Sequence, residues 1–336
     1  SGVQEALSML QGSYALVILF QDQPDLLLVA CCGSPLVIGV TADGHLIGSD
    51  KHAISNRTRC QTRLRNHDLA VVRADSLQVL PSELSDAPRE VLWSDHLASP
   101  TNDDDIGEFP HETLKEIHQQ PRTLGRTLSG ERGMFAELND GALSELPERI
   151  QVIACGTSWH AGLYGKYIIE ELAGIPVDVE YASEYRYHES PHQKGVLLIP
   201  VSQSGETADT IGALRDCQGR VQSSVTICNV PGSTLAEEAD GAIFLNVGQE
   251  TGVAATKSYT SQCAVFARLG IELGRRKGSL NGHARLLDED LRRLPDLVQR
   301  VLNDEESIRR LAQTFGDATR FLFVGRGYDR ATALEG

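Results

Sequence analysis

Val196–Thr210 reads VLLIPVSQSGETADT, and the fold follows from how this stretch changes character half-way along. An apolar run containing one proline leads directly into Ser202-Gln203-Ser204-Gly205-Glu206-Thr207, after which a helix-like segment begins. A buried strand that ends in glycine and small hydroxyl residues, just ahead of a helix, presents unpaired backbone N–H groups and side-chain donors of little bulk. That combination suits an anion, and in parallel sheets such sites lie at the carboxyl ends of the strands. The same residues also suit plain N-terminal capping of the helix. Glu206, three residues after Gln203, fits a capping role as well. It is a poor first choice for a base, because a carboxylate beside a bound phosphate meets like-charge repulsion.

The pattern repeats on either side. Ile150–Ser158 (IQVIACGTS) is an apolar strand ending in Gly-Thr-Ser, and Trp159–Ala173 follows with a helical period. VDVEYA, SVTICN at 224–229 and Gly241–Val247 read as further strands, with helices over Asp209–Cys217, Leu235–Ala239 and Ala254–Gly270. Strands of nearly unbroken apolar character alternating with helices predict a parallel sheet covered on both faces. Gly156-Thr157-Ser158 and the Ser202–Thr207 loop would then open on one edge, their donors converging on a single oxyanion. Gly248–Lys257 (GQETGVAATK) is a third glycine-rich loop at that edge, with Glu250 and Lys257 read as surface charges. No GxGxxG occurs, which disfavours an ordinary dinucleotide site.

The front of the chain has a different rhythm. After a short helix candidate at 1–12, brief apolar runs at Tyr14–Phe20, Leu26–Cys31, Leu36–Val40, His45–Ser49, Thr62–Leu64, Asp68–Arg73 and Ser76–Leu80 are separated by turn compositions. They predict a β-rich, largely antiparallel region without a self-contained catalytic set. From Pro81 to Phe109 the composition shifts to Ser, Asp and Pro, as in an interdomain linker. HETLKEIHQQ then predicts a helix stopped by Pro121, with Lys115 and Glu116 on a solvated face. Helices around 283–301 and 304–317 lead to a strand at Arg320–Gly325, which reads as the first strand of a second α/β unit.

The chain has 336 residues, enough for two or more domains, and a formal charge of −15 that argues against nucleic acid or an anionic membrane as the main partner. Its seven cysteines include no CxxC pair, so they read as small core residues of a reducing compartment. The histidines at 96, 111, 118 and 160 lack metal-ligand spacing, and no metal or cofactor is expected. No run reaches the roughly 20 apolar residues of a membrane span, so a cytoplasmic protein is the default expectation. The first residue is Ser1 and the last phrase, ALEG, falls one turn into a helix, which reads as a piece of a longer polypeptide.

ACGTSWHAG, SQSGETADT, CNVPGST and ETGVAATKSYTSQ, in this order and spacing, resemble the sugar isomerase (SIS) domain of the isomerising glutamine–fructose-6-phosphate aminotransferase, or glucosamine-6-phosphate synthase, family. GSYALVIL, GSPLVIG and SDKHAI are similar to the last third of that family's glutaminase domain. The resemblance implies an α/β fold: a SIS-type parallel sheet sandwiched by helices, preceded by part of an Ntn-type α+β glutaminase domain. It implies a glutaminase part at 1–90, a linker with helices at 91–145, a first SIS domain at 146–280, connecting helices at 281–318 and the start of a second SIS domain at 319–336. It further implies that Ser202, Gln203, Ser204 and Thr207 hold a sugar phosphate, that Thr157 and Ser158 lie along the same substrate, and that Val253 and Ala255 line the sugar. Ala255 replaces the family's more usual serine.

The implied reaction makes glucosamine 6-phosphate from fructose 6-phosphate and glutamine, in a homodimer or higher oligomer. Its cysteine nucleophile, Schiff-base lysine and glutamate base have no counterpart in residues 1–336, so no catalytic residue is assigned and the segment alone is expected to be inactive. The competing readings are another SIS-type sugar-phosphate isomerase or deglycase, and a non-catalytic sugar-phosphate sensor.

Overall fold

The computed structural model describes residues 2–49, 54, 57–58, 60–80, 94–95, 109–129, 135, 138, 140–187, 193–280 and 282–336. They fall into two compact units, Ser1–Thr101 and Asn102–Gly336.

The first unit opens with α1 (Gly2–Met9) and continues as β1 (Tyr14–Phe20), β2 (Gln23–Cys32), β3 (Val37–Thr41), β4 (Gly44–Gly48), β5 (Cys60–Arg63), β6 (Leu69–Val72), β7 (Leu77–Leu80) and β8 (Ser94–Asp95). Among the described residues the strands pair antiparallel, in two four-stranded sheets ordered β1-β2-β6-β7 and β4-β3-β5-β8. Val29, Cys31, Ile38, Leu64, Ala70, Val72 and Val79 make their common core. Burial pushes the Cys31 thiol up to about 11, so it is protonated at neutral pH and serves as packing.

The second unit begins with α2 (Glu112–Ser129). Next come β9 (Arg149–Ala154), α3 (Gly156–Ala173), β10 (Val177–Tyr181), α4 (Ala182–Tyr185), β11 (Gln193–Ser202), α5 (Ala208–Cys217), β12 (Val221–Cys228), α6 (Thr234–Glu238) and β13 (Gly241–Phe244). The long helices α7 (Lys257–Lys277) and α8 (Gly282–Leu302) and the short helices α9 (Glu305–Thr314) and α10 (Tyr328–Glu335) complete it. The five strands are all parallel, in the order β10-β9-β11-β12-β13.

Strand periodicity divides the core into two layers. Ile150, Val152 and Ala154 of β9, with Leu197, Ile199 and Val201 of β11, face a cluster containing Ile168, Ile169, Phe266 and Leu269 of α3 and α7. The alternate residues Ile153 and Leu198 face Tyr185, Ile211, Leu214 and Leu235 on the other side. Helices therefore cover both faces, as the apolar strands demand. Close contact between α3 and α7 depends on Gly165, where a Cβ would stand 2.5 Å from the Phe266 ring.

Three expectations fail. The α2 helix runs through Pro121 instead of stopping there. Proline removes the N–H that would reach the Ile117 carbonyl, and the Gln120 side-chain amide donates to that carbonyl at 3.1 Å in its place. Lys115 and Glu116 are not solvated: they are 7 % and 1 % exposed, because α2 packs against α7 and α8. Arg320–Gly325 is not a strand, for among the described residues no strand lies beside it to complete a ladder. Its Phe321, Leu322, Phe323 and Val324 are all exposed. The predicted linker and the SDKHAI phrase lie largely outside the described residues.

Candidate functional site

The parallel sheet places the ends of β9, β11 and β12, and the loop between β13 and α7, along one edge. Ser202 is the last residue of β11, and Thr207 is the residue before α5. Thr207 does not cap that helix through its side chain. Its hydroxyl instead meets Ser202 Oγ at 2.8 Å, and Ser204 Oγ lies 3.5 Å from Ser202 Oγ. The Gly205 N–H donates to Ser202 Oγ and the Glu206 N–H to Ser204 Oγ, each at 3.1 Å. Hydroxyls and loop N–H groups thus form one compact cluster just ahead of α5, which is the chemistry an oxyanion needs.

The turn that gathers these groups is possible only with glycine at 205. Its φ is +69°, and a Cβ there would stand 2.1 Å from Ser233 Oγ. Glu206 points away from the hydroxyl cluster: its carboxylate accepts from the Thr234 N–H at 3.0 Å and the Thr234 hydroxyl at 2.7 Å, capping α6 rather than its own helix. The negative charge is therefore spent on a neighbouring helix start.

Asn229, just past β12, stitches the edge together. Its N–H donates to the Gln203 carbonyl at 2.9 Å, its amide to the Gly248 carbonyl at 2.7 Å, and its Oδ1 accepts from the Val247 N–H at 3.0 Å. In the sequence, the one signal for Asn229 is its place directly after an apolar strand. Burial pushes the neighbouring Cys228 thiol up to about 11, so it is a protonated packing residue.

Thr157 and Ser158 sit in the first turn of α3, and each has its own partner. The Thr157 hydroxyl donates to Glu335 Oε1 at 2.5 Å, and His160 Nδ1 lies 2.5 Å from Glu335 Oε2. Ser158 Oγ accepts from the Gln262 amide of α7 at 3.0 Å. Trp159 stacks on Tyr181 with ring centroids 4.2 Å apart, fixing the start of α3 against β10. Glu335 was missed from sequence. It arrives because α10 docks on α3 and α7, with Tyr259 Oη 3.0 Å from Thr332 Oγ1 and Ala331 fully buried.

Val253 and Ala255 lie on the β13–α7 loop, Val253 fully exposed at its tip. Lys257 and Glu250 are not the surface charges expected. Lys257 is 2 % exposed, and the Glu250 carboxylate accepts from the Thr256 and Ser258 N–H groups at 2.9 and 3.1 Å. The opposite edge of the sheet has a cleft of about 530 Å³ lined by Glu145, Glu148, Lys194 and Arg220 among others, and it holds none of the predicted residues. No group of His, Cys, Asp and Glu among the described residues has metal-binding geometry. No described helix is long and apolar enough to cross a membrane.

Known proteins place this edge in context. Residues 145–271 match the SIS domain family. A glutamine–fructose-6-phosphate aminotransferase (isomerising) of Pseudomonas syringae pv. tomato is 39 % identical over 342 positions, covering 99 % of this chain and 56 % of that protein. The chain is a homologue of these aminotransferases. The Escherichia coli K12 protein of the same name is 38 % identical over 341 positions, again covering 99 % of this homologue and 56 % of its relative. The homologue therefore spans a little over half the length of the curated relatives it matches. Among solved structures, the C-terminal domain of glucosamine-fructose-6-phosphate aminotransferase from Francisella tularensis superposes with a TM-score of 0.64 at 34 % identity, covering 69 % of this chain and 66 % of that one. The matched SIS segment contains the Ser202–Thr207 and Val253–Ala255 loops and the Thr157–Ser158 helix start.

Proposed function

We propose that Asn102–Gly336 binds fructose 6-phosphate for a glutamine-dependent, isomerising aminotransferase that makes glucosamine 6-phosphate. Ser202, Gln203, Ser204 and Thr207 hold the phosphate, Thr157 and Ser158 lie along the sugar chain, and the Val253–Ala255 backbone lines the sugar. The observation that carries this reading is the pairing of Thr207 with Ser202, at 2.8 Å, in place of a helix cap. A hydroxyl needed only for capping would bond to the N–H groups of α5. At Ala255 the proposed contact is through backbone, since a methyl group offers no hydroxyl.

Residues 1–90 are assigned, in the same reading, to the later part of an Ntn-type glutaminase, with 91–145 as linker and helices, 146–280 as the first SIS domain, 281–318 as connecting helices and 319–336 as the start of a second. Near-complete coverage of the chain by the aminotransferase relatives supports the pairing of both parts in one enzyme. Its setting is the cytoplasm and its assembly a homodimer or larger. These residues contribute binding and orientation rather than bond making. Ammonia release and the imine chemistry at the sugar carbonyl are assigned to groups other than this donor set.

Calorimetric titration of fructose 6-phosphate tests this. A hydrogen bond to a charged group contributes about 1.5–3 kcal/mol, so Ser204→Ala and Thr207→Ala each weaken binding about tenfold or more. Unchanged affinity in both variants would refute the assignment.

A further inference from the structure

Glu116, buried on α2, has no role in the phosphate cluster, yet it reaches the sugar loop. Thr113, Glu116 and Gln119 recur every three residues and so share one face of the helix. Glu116 Oε1 accepts from the Thr251 N–H at 2.5 Å and the Gly252 N–H at 3.0 Å. One turn on, Gln119 Oε1 accepts from Lys257 Nζ at 2.8 Å, and the same ammonium donates to the Gln249 carbonyl. Gly252 approaches so closely that a Cβ would stand 2.6 Å from Glu116 Oε2 and 2.7 Å from Thr113 Oγ1.

These contacts hold the loop at Thr251 and Gly252. Residues 249–255 belong to no helix or strand, and Val253 at the tip is fully exposed and gains no packing. Glu250 secures only the far end, at Thr256 and Ser258. A carboxylate accepting two successive backbone N–H groups holds the 250–251 and 251–252 peptide planes in one orientation, and these planes lead into Val253.

We propose that Glu116 is a positioning residue for sugar recognition: by holding the Thr251 and Gly252 N–H groups it sets the Val253–Ala255 backbone against the sugar while leaving the phosphate donors untouched. This rests on the reading of that loop as sugar-lining. Glu116 selects the sugar part of the ligand, and the Ser202–Thr207 donors select its phosphate.

The test uses the chain of residues 1–336 with Glu116→Ala and Glu116→Gln, the latter keeping one acceptor oxygen in place should the alanine variant fold poorly. Fructose 6-phosphate and inorganic phosphate are titrated separately, and amide hydrogen exchange is followed at Thr251 and Gly252. Losing an acceptor of two backbone donors makes fructose 6-phosphate binding about tenfold weaker in the alanine variant, less in the glutamine variant. Inorganic phosphate affinity stays within about twofold, and protection at the two amides is lost. A general loss of structure would lower both affinities together, which overturns the proposal, as does retained amide protection. Thr207→Ala separates this from the reading beneath it. Should Thr207→Ala abolish fructose 6-phosphate binding while Glu116→Ala leaves it intact, the positioning role fails alone. Should neither variant affect it, the sugar site itself is misplaced.

Discussion

Replacing Gly205 by alanine perturbs the phosphate loop in a way the structure makes quantitative. At φ +69° an alanine pays the left-handed penalty of about 1–2 kcal/mol. The new Cβ would also lie 2.1 Å from Ser233 Oγ and 2.5 Å from Ser233 Cβ, and Ser233 is buried. Overpacking of that kind adds about 1–3 kcal/mol. The expected loss is therefore about 2–5 kcal/mol, which moves the urea midpoint of this unit down by about 1 M or more. Gly219 supplies the control, with φ +74° and nothing within 4 Å of its would-be Cβ. Gly219→Ala should lose only the backbone part and bind fructose 6-phosphate normally. Gly205→Ala should bind it at least about tenfold more weakly, because its loop N–H groups and hydroxyls are displaced together. Adding Ser233→Gly to Gly205→Ala should restore the steric part, since glycine is a tolerated N-cap. Equal destabilisation by the Gly205 and Gly219 variants would refute the reasoning about the loop.

Glu206→Ala should destabilise by about 1–2 kcal/mol through the lost α6 cap, yet leave fructose 6-phosphate affinity unchanged or slightly improved; a large loss of affinity in calorimetry would put Glu206 on the ligand instead. Gln120→Ala strips the Ile117 carbonyl of its substitute donor and should cost about 0.5–1.5 kcal/mol, seen as a lower thermal midpoint; an unchanged midpoint would mean that the carbonyl is satisfied otherwise. The Cys31 and Cys228 thiols, both pushed up to about 11 by burial, should carry roughly a hundredth of the thiolate of an exposed cysteine at pH 8. Iodoacetamide should modify them in the native chain only slowly, with reactivity rising with pH and on unfolding, and rapid native labelling read by mass spectrometry would contradict their burial.

What could be read from sequence was what depends on local pattern. Unbroken apolar runs ending in Gly, Ser and Thr are enough to predict a buried parallel sheet and to say which of its edges carries the donors. The β-rich front was equally legible, because its turns are written in Gly, Pro, Asn and Asp. Most of the errors concern partners distant in the chain, and one, at Pro121, concerns a local substitute donor. Lys115 and Glu116 look like a solvated face until α7 and the 249–256 loop are packed against them. Pro121 looks like a stop unless the Gln120 side chain is seen replacing the missing donor. Glu335 meets Thr157 across 178 positions of sequence, a distance no periodicity spans. FLFVG has the composition of a strand, but composition cannot supply the neighbouring ladder that makes one.

The two edges of one sheet offer the most direct trial of the central claim. Backbone amide resonances of the chain can be followed while fructose 6-phosphate is added. The account predicts that the amides of Gly205, Glu206 and Thr207 shift most, with those of Thr157, Ser158 and Gly252–Ala255 moving alongside. Shifts confined to Lys194, Gly195 and Arg220, at the cleft on the opposite edge, would contradict it.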